Sequence, residues 1–278
     1  RRCVARPAER GEVRAVNARV TAIGRAVAQF AWDNVAVVAI VAAWALWVVI
    51  GQVNRVVMPS PASVLADLVG HPDAYLPDLT VSAGLAATGL VLGQLLGIGL
   101  AIAAHLSGVV RAAVRPAVLI VRAVPMVAMV PIFARIVGYG TPTVLVVATL
   151  VAYFPAFVLV SRGLASASRS KQDLLTVLGA SRWTRFRRLD LPAAVPSLLE
   201  AFRLSAVGSV VGVLLAEFVV GSSGLGQLFV VSRVSYDMSR SWGAAIVATV
   251  LSLAFFGLAS AVTRWLEAAY HDGSNGKG

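Results

Sequence analysis

The sequence is poor in charged residues and in cysteine. Only 13% of its 278 residues are charged, whereas 58% are hydrophobic and the mean hydropathy is +0.82. A soluble domain carries about a quarter charged residues, so the deficit excludes an ordinary soluble domain. Cys3 is the single cysteine, which excludes an internal disulfide.

The sequence also lacks the motifs of nucleotide and metal chemistry. No G-x-x-x-x-G-K-[ST] segment is present, so a nucleoside triphosphate is not bound by that route. His71, His105 and His271 are scattered without neighbouring metal ligands, and we predict no metal site. Gly221-Ser222-Ser223-Gly224 is compatible with an intramembrane serine protease, but neither flanking apolar run contains a histidine base. We therefore expect no catalytic residues.

The formal net charge of +11 could indicate a nucleic-acid partner. However, the Lys and Arg residues lie between apolar runs and form no continuous basic face. Positive loops on one side of a membrane explain this distribution better, and we expect no nucleic acid.

Long apolar runs predict an all-α polytopic membrane protein, because a helix of roughly 20 apolar residues crosses a bilayer. The six predicted spans cover residues 35–51, 82–104, 117–138, 143–161, 197–220 and 242–265. Together they form a membrane domain over 34–268, between a basic N-terminal segment (1–33) and a polar tail (269–278).

Basic residues are unevenly distributed between the loops. Segment 162–196 holds seven Lys or Arg against two acids, and segment 1–33 holds seven arginines at spacings typical of a surface amphipathic helix. The only basic residues in the loops predicted for the other side are Arg55, Arg233 and Arg240. Because positive loops stay in the cytoplasm, we predict that both termini and 162–196 are cytoplasmic.

Glycine and proline mark two of the predicted spans. Gly89, Gly93 and Gly97 lie four apart on one helical face, which predicts close packing of a neighbouring helix. Pro125 and Pro131 interrupt the third span, as in helices that line a cavity.

Two charged side chains also lie within predicted spans. Arg135 stands three residues before Gly138, so it either snorkels to the outer surface or faces an anionic substrate. Glu217 needs a partner or water, and a hydrogen-bonded structural role is as compatible as substrate contact. The candidate residues of a translocation pathway are Pro125, Met129, Pro131, Arg135 and Glu217.

One charged, glycine-broken segment lies between the fourth and fifth spans. Its sequence from Asp173 to Ala180 is Asp-Leu-Leu-Thr-Val-Leu-Gly-Ala, followed later by Leu189-Asp190-Leu191-Pro192. A short helix that ends at Gly179 presents an acid and an apolar ridge, which suits a groove on a partner. Glycine permits a sharp reversal, and Pro192 starts the return into the membrane.

This segment resembles the cytoplasmic motif of ABC-importer permeases, which is Glu-Ala-Ala, three residues, Gly, nine residues, an aliphatic residue, one residue, Leu-Pro. Every spacing matches, although Asp-Leu-Leu stands in the Glu-Ala-Ala places. The matching residues are Asp173, Leu174, Leu175, Gly179, Leu189, Leu191 and Pro192.

The resemblance extends over about residues 56–268 and is to the nitrate/sulfonate/taurine subgroup of these permeases. It rests on Met58-Pro59-Ser60-Pro61, the segment from Pro125 to Pro131, Phe154-Pro155, Leu178-Gly179-Ala180-Ser181, Ala216-Glu217 and Ser222-Ser223-Gly224-Leu225-Gly226. It implies a type I ABC importer permease fold and a non-catalytic subunit. The residues implied to dock the ATPase are Asp173, Leu174, Leu175, Leu178, Gly179, Ala180, Leu189, Leu191 and Pro192.

The resemblance also implies partners. Two ATPase subunits holding ATP and Mg²⁺ would dock beneath two permease copies, and a periplasmic or lipid-anchored binding protein would deliver the solute. This chain would bind no cofactor and would lie in the lipid of the bacterial plasma (inner) membrane. The expected cargo is a small anion such as a sulfonate, taurine or nitrate.

Two other classes of function compete with this interpretation. A secondary transporter or channel would need no ATPase, and the spacing over 173–192 argues against it. An intramembrane serine protease lacks its base. Copurification of a nucleotide-binding subunit would separate the importer from both.

Overall fold

Helices supply the regular structure of the chain. A computed structural model describes residues 35–52, 54, 57–114 and 125–275, with side chains described as far as residue 268. No strand occurs in these ranges. Contacts divide the chain into one unit that ends at Ser63 and another that begins at Val64. The amphipathic helix predicted within 1–33 and the first part of the third predicted span lie outside the described residues.

The α-helices are numbered in chain order. They are α1 (Val35–Ile50), α2 (Pro61–Gly70), α3 (Leu76–Leu106), α4 (Met126–Val137), α5 (Thr141–Leu164), α6 (Arg169–Val177), α7 (Arg182–Arg185), α8 (Leu191–Val220), α9 (Leu225–Val234) and α10 (Met238–Asn275). A 3₁₀ turn (Pro72–Ala74) precedes α3, residues 108–114 are helical, and a π turn (Phe186–Asp190) joins α7 to α8.

Among the described residues, four helical stretches are long and apolar enough to cross a membrane. They are Leu76–Leu106, Thr141–Leu164, Arg182–Val234 and Met238–Ala268, and they contain four of the predicted spans. The helices α1, α2 and α4 are shorter apolar helices. The first predicted span corresponds to α1, and the described part of the third contains α4, so the count of six spans stays a prediction.

Proline lies at the start of several helices. Pro77, Pro142 and Pro192 lie in the first turns of α3, α5 and α8, where a backbone donor is not needed. No proline follows Met238, and α10 continues to Asn275 through most of the predicted polar tail.

Small residues bring α3 and α5 into direct contact. A Cβ atom added to Gly93 would lie 2.6 Å from the Cβ of Ala152 and 2.9 Å from the carbonyl oxygen of Thr149. Gly89 and Gly97 meet α5 in the same way, one helical turn to either side. The three glycines therefore allow a close helix contact that any larger side chain would prevent.

The helix α8 also packs against α5. A Cβ atom on Gly212 would lie 2.9 Å from the Cα of Ala148. Buried aliphatic and aromatic side chains of α3, α5 and α8 form the core, including Ala86, Val147, Val210, Phe157 and Ala201. These three helices are the frame on which the remaining elements are placed.

A polar cluster precedes α3. The Asp67 carboxylate accepts a hydrogen bond from the phenol of Tyr75 and lies 3.3 Å from Nη2 of Arg240. Burial alone would raise the pKa of Asp67, but the Tyr75 hydrogen bond and the Arg240 guanidinium hold it below its usual value. The start of α10 is thus fixed to α2.

Candidate functional site

A glycine-terminated turn closes α6. Gly179 has a φ of 73°, in the left-handed region that favours glycine. The amide of Ala180 donates to the carbonyl of Leu175 at 2.9 Å, and the amide of Gly179 donates to that of Thr176 at 3.0 Å. This pair of bonds is the Schellman motif, which satisfies the last carbonyls of the helix.

The helix α6 carries an exposed apolar ridge. Leu174, Val177 and Leu178 are 60%, 86% and 70% exposed, and they lie three or four residues apart on one face. Asp173 is also exposed, next to the ridge. Such a ridge on a helix that is otherwise polar is suited to the apolar groove of a partner protein.

The chain returns from α6 through a short capped helix. The Ser181 hydroxyl accepts a hydrogen bond from the amide of Thr184 at 3.2 Å and caps α7. Phe186 is buried among side chains of α3, α5 and α8, which we call the main bundle. Its ring stacks on Trp183, with ring centroids 5.4 Å apart. We call residues 169–192 the α6 segment, and Phe186 anchors it to the bundle.

A buried polar pair provides a second anchor. Asp190 is 2% exposed, and its Oδ2 atom lies 2.9 Å from Nε2 of His105 at the end of α3. His105 also lies 6.1 Å from the ring of Phe186. The α6 segment is therefore joined to α3 as well as to α8.

The structure divides the predicted ATPase-docking residues into two groups. Asp173, Leu174, Leu178 and Gly179 are exposed. The others are half-buried: Leu175, Ala180, Leu189, Leu191 and Pro192. Their role in docking stays a prediction for both groups.

Sequence reasoning missed two exposed apolar residues of the α6 segment. Val177 belongs to the ridge, and Trp183 is 59% exposed. A tryptophan in a basic segment between apolar runs was a signal that could have identified Trp183. Val177 lies three residues after Leu174, so the helical period could have identified it.

Most candidate pathway residues lie on α4. Pro125 immediately precedes the helix, and Pro131 and Arg135 are exposed one turn apart, while Met129 is half-buried. The opposite face of α4 buries Val130 and Ala134 against the core. An exposed face with an arginine is compatible with both predicted roles of Arg135.

Glu217 lies apart from these residues, in a closed polar cluster. Its side chain is fully buried, accepts a hydrogen bond from the amide of Gly226 at 2.9 Å and lies 2.8 Å from the hydroxyl of Ser82. The Ser82 oxygen accepts the amide of Leu225, and Asp78 accepts that of Gly224. Glu217 thus has the partners that a buried carboxylate needs, namely the Ser82 hydroxyl and a backbone amide at the start of α9.

This cluster provides hydrogen-bond acceptors for the first backbone amides of α9. The first amide groups of a helix have no partner within the helix, and carboxylates are favourable there. Three consecutive amides, from Gly224 to Gly226, donate to Asp78, Ser82 and Glu217. Glu217 therefore holds α9 against α3 in this conformation, and its place in the pathway stays a prediction.

Another charged residue within α8 was missed. Arg203 donates to the hydroxyl of Thr263 and, through Nη2, to Glu267 at 3.0 Å, so it connects α8 to α10. An arginine inside the fifth predicted span was a sequence signal for such a pairing.

Comparison with known proteins identifies related chains. The family model for the binding-protein-dependent transport system inner membrane component matches residues 93–271. The formylaminopyrimidine transport permease protein ThiX of Halalkalibacterium halodurans is 26% identical over 202 residues, which cover 72% of this chain and 79% of that protein. The taurine transport system permease protein TauC of Escherichia coli (strain K12) is 26% identical over 211 residues, or 73% and 76% of the two chains.

A solved structure shares the fold. The inward-facing MetNI methionine ABC transporter matches with a TM-score of 0.55 and 19% sequence identity. The match covers 66% of this chain and 91% of the chain compared. The all-α architecture is thus that of a type I importer permease.

Proposed function

The chain belongs to the family of binding-protein-dependent transport system inner membrane components, and from this premise we propose that it couples to a separate ATPase through the α6 segment. It is an ABC importer permease of the nitrate/sulfonate/taurine type and a multi-pass membrane protein. We further propose that two copies form the translocation pathway, served by two ATPase subunits and an external binding protein.

The exposed ridge of α6 supports this proposal most directly. Leu174, Val177 and Leu178 project from a segment that is fixed to the bundle at Phe186 and Asp190. An ATPase-independent transporter or channel would have no need for an exposed apolar surface there. A partner that covers the ridge gains about 1.5–3 kcal/mol for each leucine it buries.

The anchors suggest how an ATPase movement reaches the membrane. ATP-driven closure of the ATPase pair displaces α6, and the buried contacts of Phe186 and Asp190 carry the displacement to α3 and α8. The cavity between the two permease copies then changes from inward- to outward-facing. The permease contributes binding surfaces and movement, and ATP hydrolysis occurs on the partner.

The proposed cargo is a small anionic solute. The exposed arginine of α4, Arg135, supplies a positive charge that could meet such a solute. The related TauC is a taurine transport permease and ThiX a formylaminopyrimidine transport permease, so the family accommodates different solutes. Sulfonate, taurine and nitrate are the first solutes to test.

Copurification tests the proposed function. The affinity-tagged chain, purified from its native membrane, should bring with it a subunit that is photolabelled by azido-ATP. Reconstituted vesicles holding both should accumulate solute only with ATP and binding protein. Transport by vesicles that contain the permease alone would contradict the proposal.

The orientation can be tested with engineered cysteines. We expect Ser170→Cys, exposed on α6, to react with a membrane-impermeant thiol reagent only from the cytoplasmic side. Ala66→Cys, exposed on α2, should react only from outside. Both variants carry Cys3→Ser so that no native thiol reacts, and labelling of both sites from one side would refute the topology.

A substitution at Arg135 tests contact with the solute. If Arg135 faces an anionic solute, Arg135→Leu should abolish uptake and leave basal ATP hydrolysis of the assembled complex unchanged. If it snorkels, Arg135→Gln should transport almost as well as wild type. The matched control is Arg233→Leu, which removes an exposed arginine from α9. Normal uptake by Arg135→Leu would remove the solute-binding role.

A further inference from the structure

Arginine side chains surround a cavity between the α6 segment and the ends of α3 and α5. Two adjoining cavities, of about 580 and 380 Å³, share His105, Arg111, Arg185 and Asp190 in their walls. We refer to the two together as the arginine cavity. The arginines that line it are Arg111, Arg162, Arg169, Arg182 and Arg185, against the single acid Asp190. The cavity is therefore strongly electropositive.

One of these arginines is held in place by the bundle. The guanidinium of Arg111 donates to the carbonyl of Ala104 at 3.0 Å through Nε and to that of His105 at 2.8 Å through Nη2. These are the last carbonyls of α3, which a cation stabilises. Arg111 is thus a fixed positive charge rather than a free surface side chain.

Unpartnered polar atoms are concentrated in the same walls. Among the described residues, three buried side-chain atoms without a hydrogen-bond partner belong to residues that line the arginine cavity. They are Oγ of Ser161, Nε of Arg185 and Oδ1 of Asp190. Buried polar groups are nearly always paired, so these three atoms are suited to contact a bound molecule.

The types of these atoms restrict the ligand. Nε of Arg185 is a donor, and the Ser161 hydroxyl can donate as well, so both suit the oxygens of an anion. Oδ1 of the Asp190 carboxylate is an acceptor, while Oδ2 lies 2.9 Å from Nε2 of His105. An oxyanion with a hydrogen-bond donor of its own satisfies all three atoms and matches the positive charge of the five lining arginines. Phosphate near neutral pH has a P–OH group, whereas sulfate does not.

We propose that the arginine cavity binds a phosphate group that carries a proton. Its oxygens accept hydrogen bonds from Arg185 and Ser161, and its P–OH group donates to Asp190. A ligand there joins the end of α5 to the α6 segment and restrains that segment. The regulatory consequence, that phosphate changes coupling to the ATPase, rests on the proposed function. The binding itself does not.

Binding can be measured on the purified permease without any ATPase, in nanodiscs of phosphatidylcholine. Inorganic phosphate should raise the thermal unfolding midpoint in a saturable manner, and sulfate at equal ionic strength should not. Arg185→Gln and Ser161→Ala should each weaken phosphate binding, Arg185→Gln by about tenfold or more since a charged donor is lost. Arg187→Gln and Arg188→Gln, exposed arginines outside the cavity walls, should bind as wild type.

Nanodiscs with phosphatidic acid, whose headgroup is a phosphate monoester, distinguish two sources of the ligand. Loss of the response to free phosphate there would support the proposal with a lipid headgroup as the ligand. An unchanged response would support it with a soluble phosphate. Equal effects of phosphate and sulfate, or equal phosphate affinity in Arg185→Gln and Arg187→Gln, would overturn the proposal. Neither result would alter copurification of the ATPase, so the two proposals fail separately.

Discussion

Gly179→Val should give a permease that inserts and folds normally but neither captures its ATPase nor transports. The φ of 73° at Gly179 places any other residue in the left-handed region, which costs about 1–2 kcal/mol and most for a β-branched side chain. A Cβ atom there meets nothing within 4 Å, so the change acts through backbone strain and not through a clash. The measurements are ATPase pull-down and solute-stimulated ATP hydrolysis in reconstituted vesicles.

Gly179→Asn is the matched control. Asparagine tolerates the left-handed conformation better than other residues and fills the same open space. It should therefore retain most of the coupling that Gly179→Val loses. If both variants couple as wild type, the turn at Gly179 is not part of the ATPase interface.

The ridge beside this turn supplies a second test of the same interface. Leu178→Asp removes a contact worth about 1.5–3 kcal/mol and introduces a charge into the partner's groove. Asp173→Asn should weaken assembly only modestly, because an exposed ion pair contributes about 0–1 kcal/mol. Val69→Asp, at a similarly exposed apolar residue of α2, is the control. Leu175→Asp is less diagnostic, because Leu175 is half-buried and also contacts its own chain.

The second large effect is expected at the contact between α3 and α5. Overpacking commonly costs about 1–3 kcal/mol. Gly93→Val should destabilise the permease by more than about 3 kcal/mol, because the added side chain would clash with backbone atoms. Here the added Cβ would lie 2.9 Å from two backbone atoms of α5, the Thr149 oxygen and the Tyr153 nitrogen. Backbone cannot move aside as a side chain can, so the helices must separate. The thermal unfolding midpoint of the protein in detergent measures this.

Gly99→Val is the control on the same helix. A Cβ atom at Gly99 meets nothing within 4 Å, so valine there should be tolerated. A rescue refines the test: a Cβ on Gly89 lies 2.6 Å from the Cβ of Ala148 but no closer than 3.3 Å to backbone. Ala148→Gly should therefore relieve Gly89→Ala. Equal midpoints for Gly93→Val and Gly99→Val would disprove tight packing along this contact.

Hydropathy located the long helices of this chain but not their first turns. The predicted spans 82–104 and 197–220 begin six residues after the observed starts of α3 and α8, at Leu76 and Leu191. Those first turns contain Pro77 with Asp78, and Pro192, which a search for apolar runs passes over. Asp78 is favourable in its turn because it accepts the amide of Gly224, far away in sequence.

The sequence likewise predicted part of the candidate site, namely its turn, but not the orientation of its side chains. Motif spacing identified Gly179 as a turn, and its positive φ agrees with the role that glycine plays there. Spacing could not decide which leucines face outward, because that depends on how α6 rests on the bundle. The pairing of His105 with Asp190 joins residues far apart in the chain, and one sequence contains no signal for it.

The length of α8 would convert a small tilt near the α6 segment into a larger displacement at the far end of the helix. The helix leaves the π turn at Asp190 and ends near Glu217, and its length beyond Pro196 is about 36 Å at 1.5 Å per residue. A tilt of about 5° at the near end would therefore shift the far end by about 3 Å along an arc. That shift exceeds what the hydrogen bond of 2.8 Å from Ser82 on α3 to Glu217 can tolerate. The start of α9 would then separate from α3 when the α6 segment is displaced.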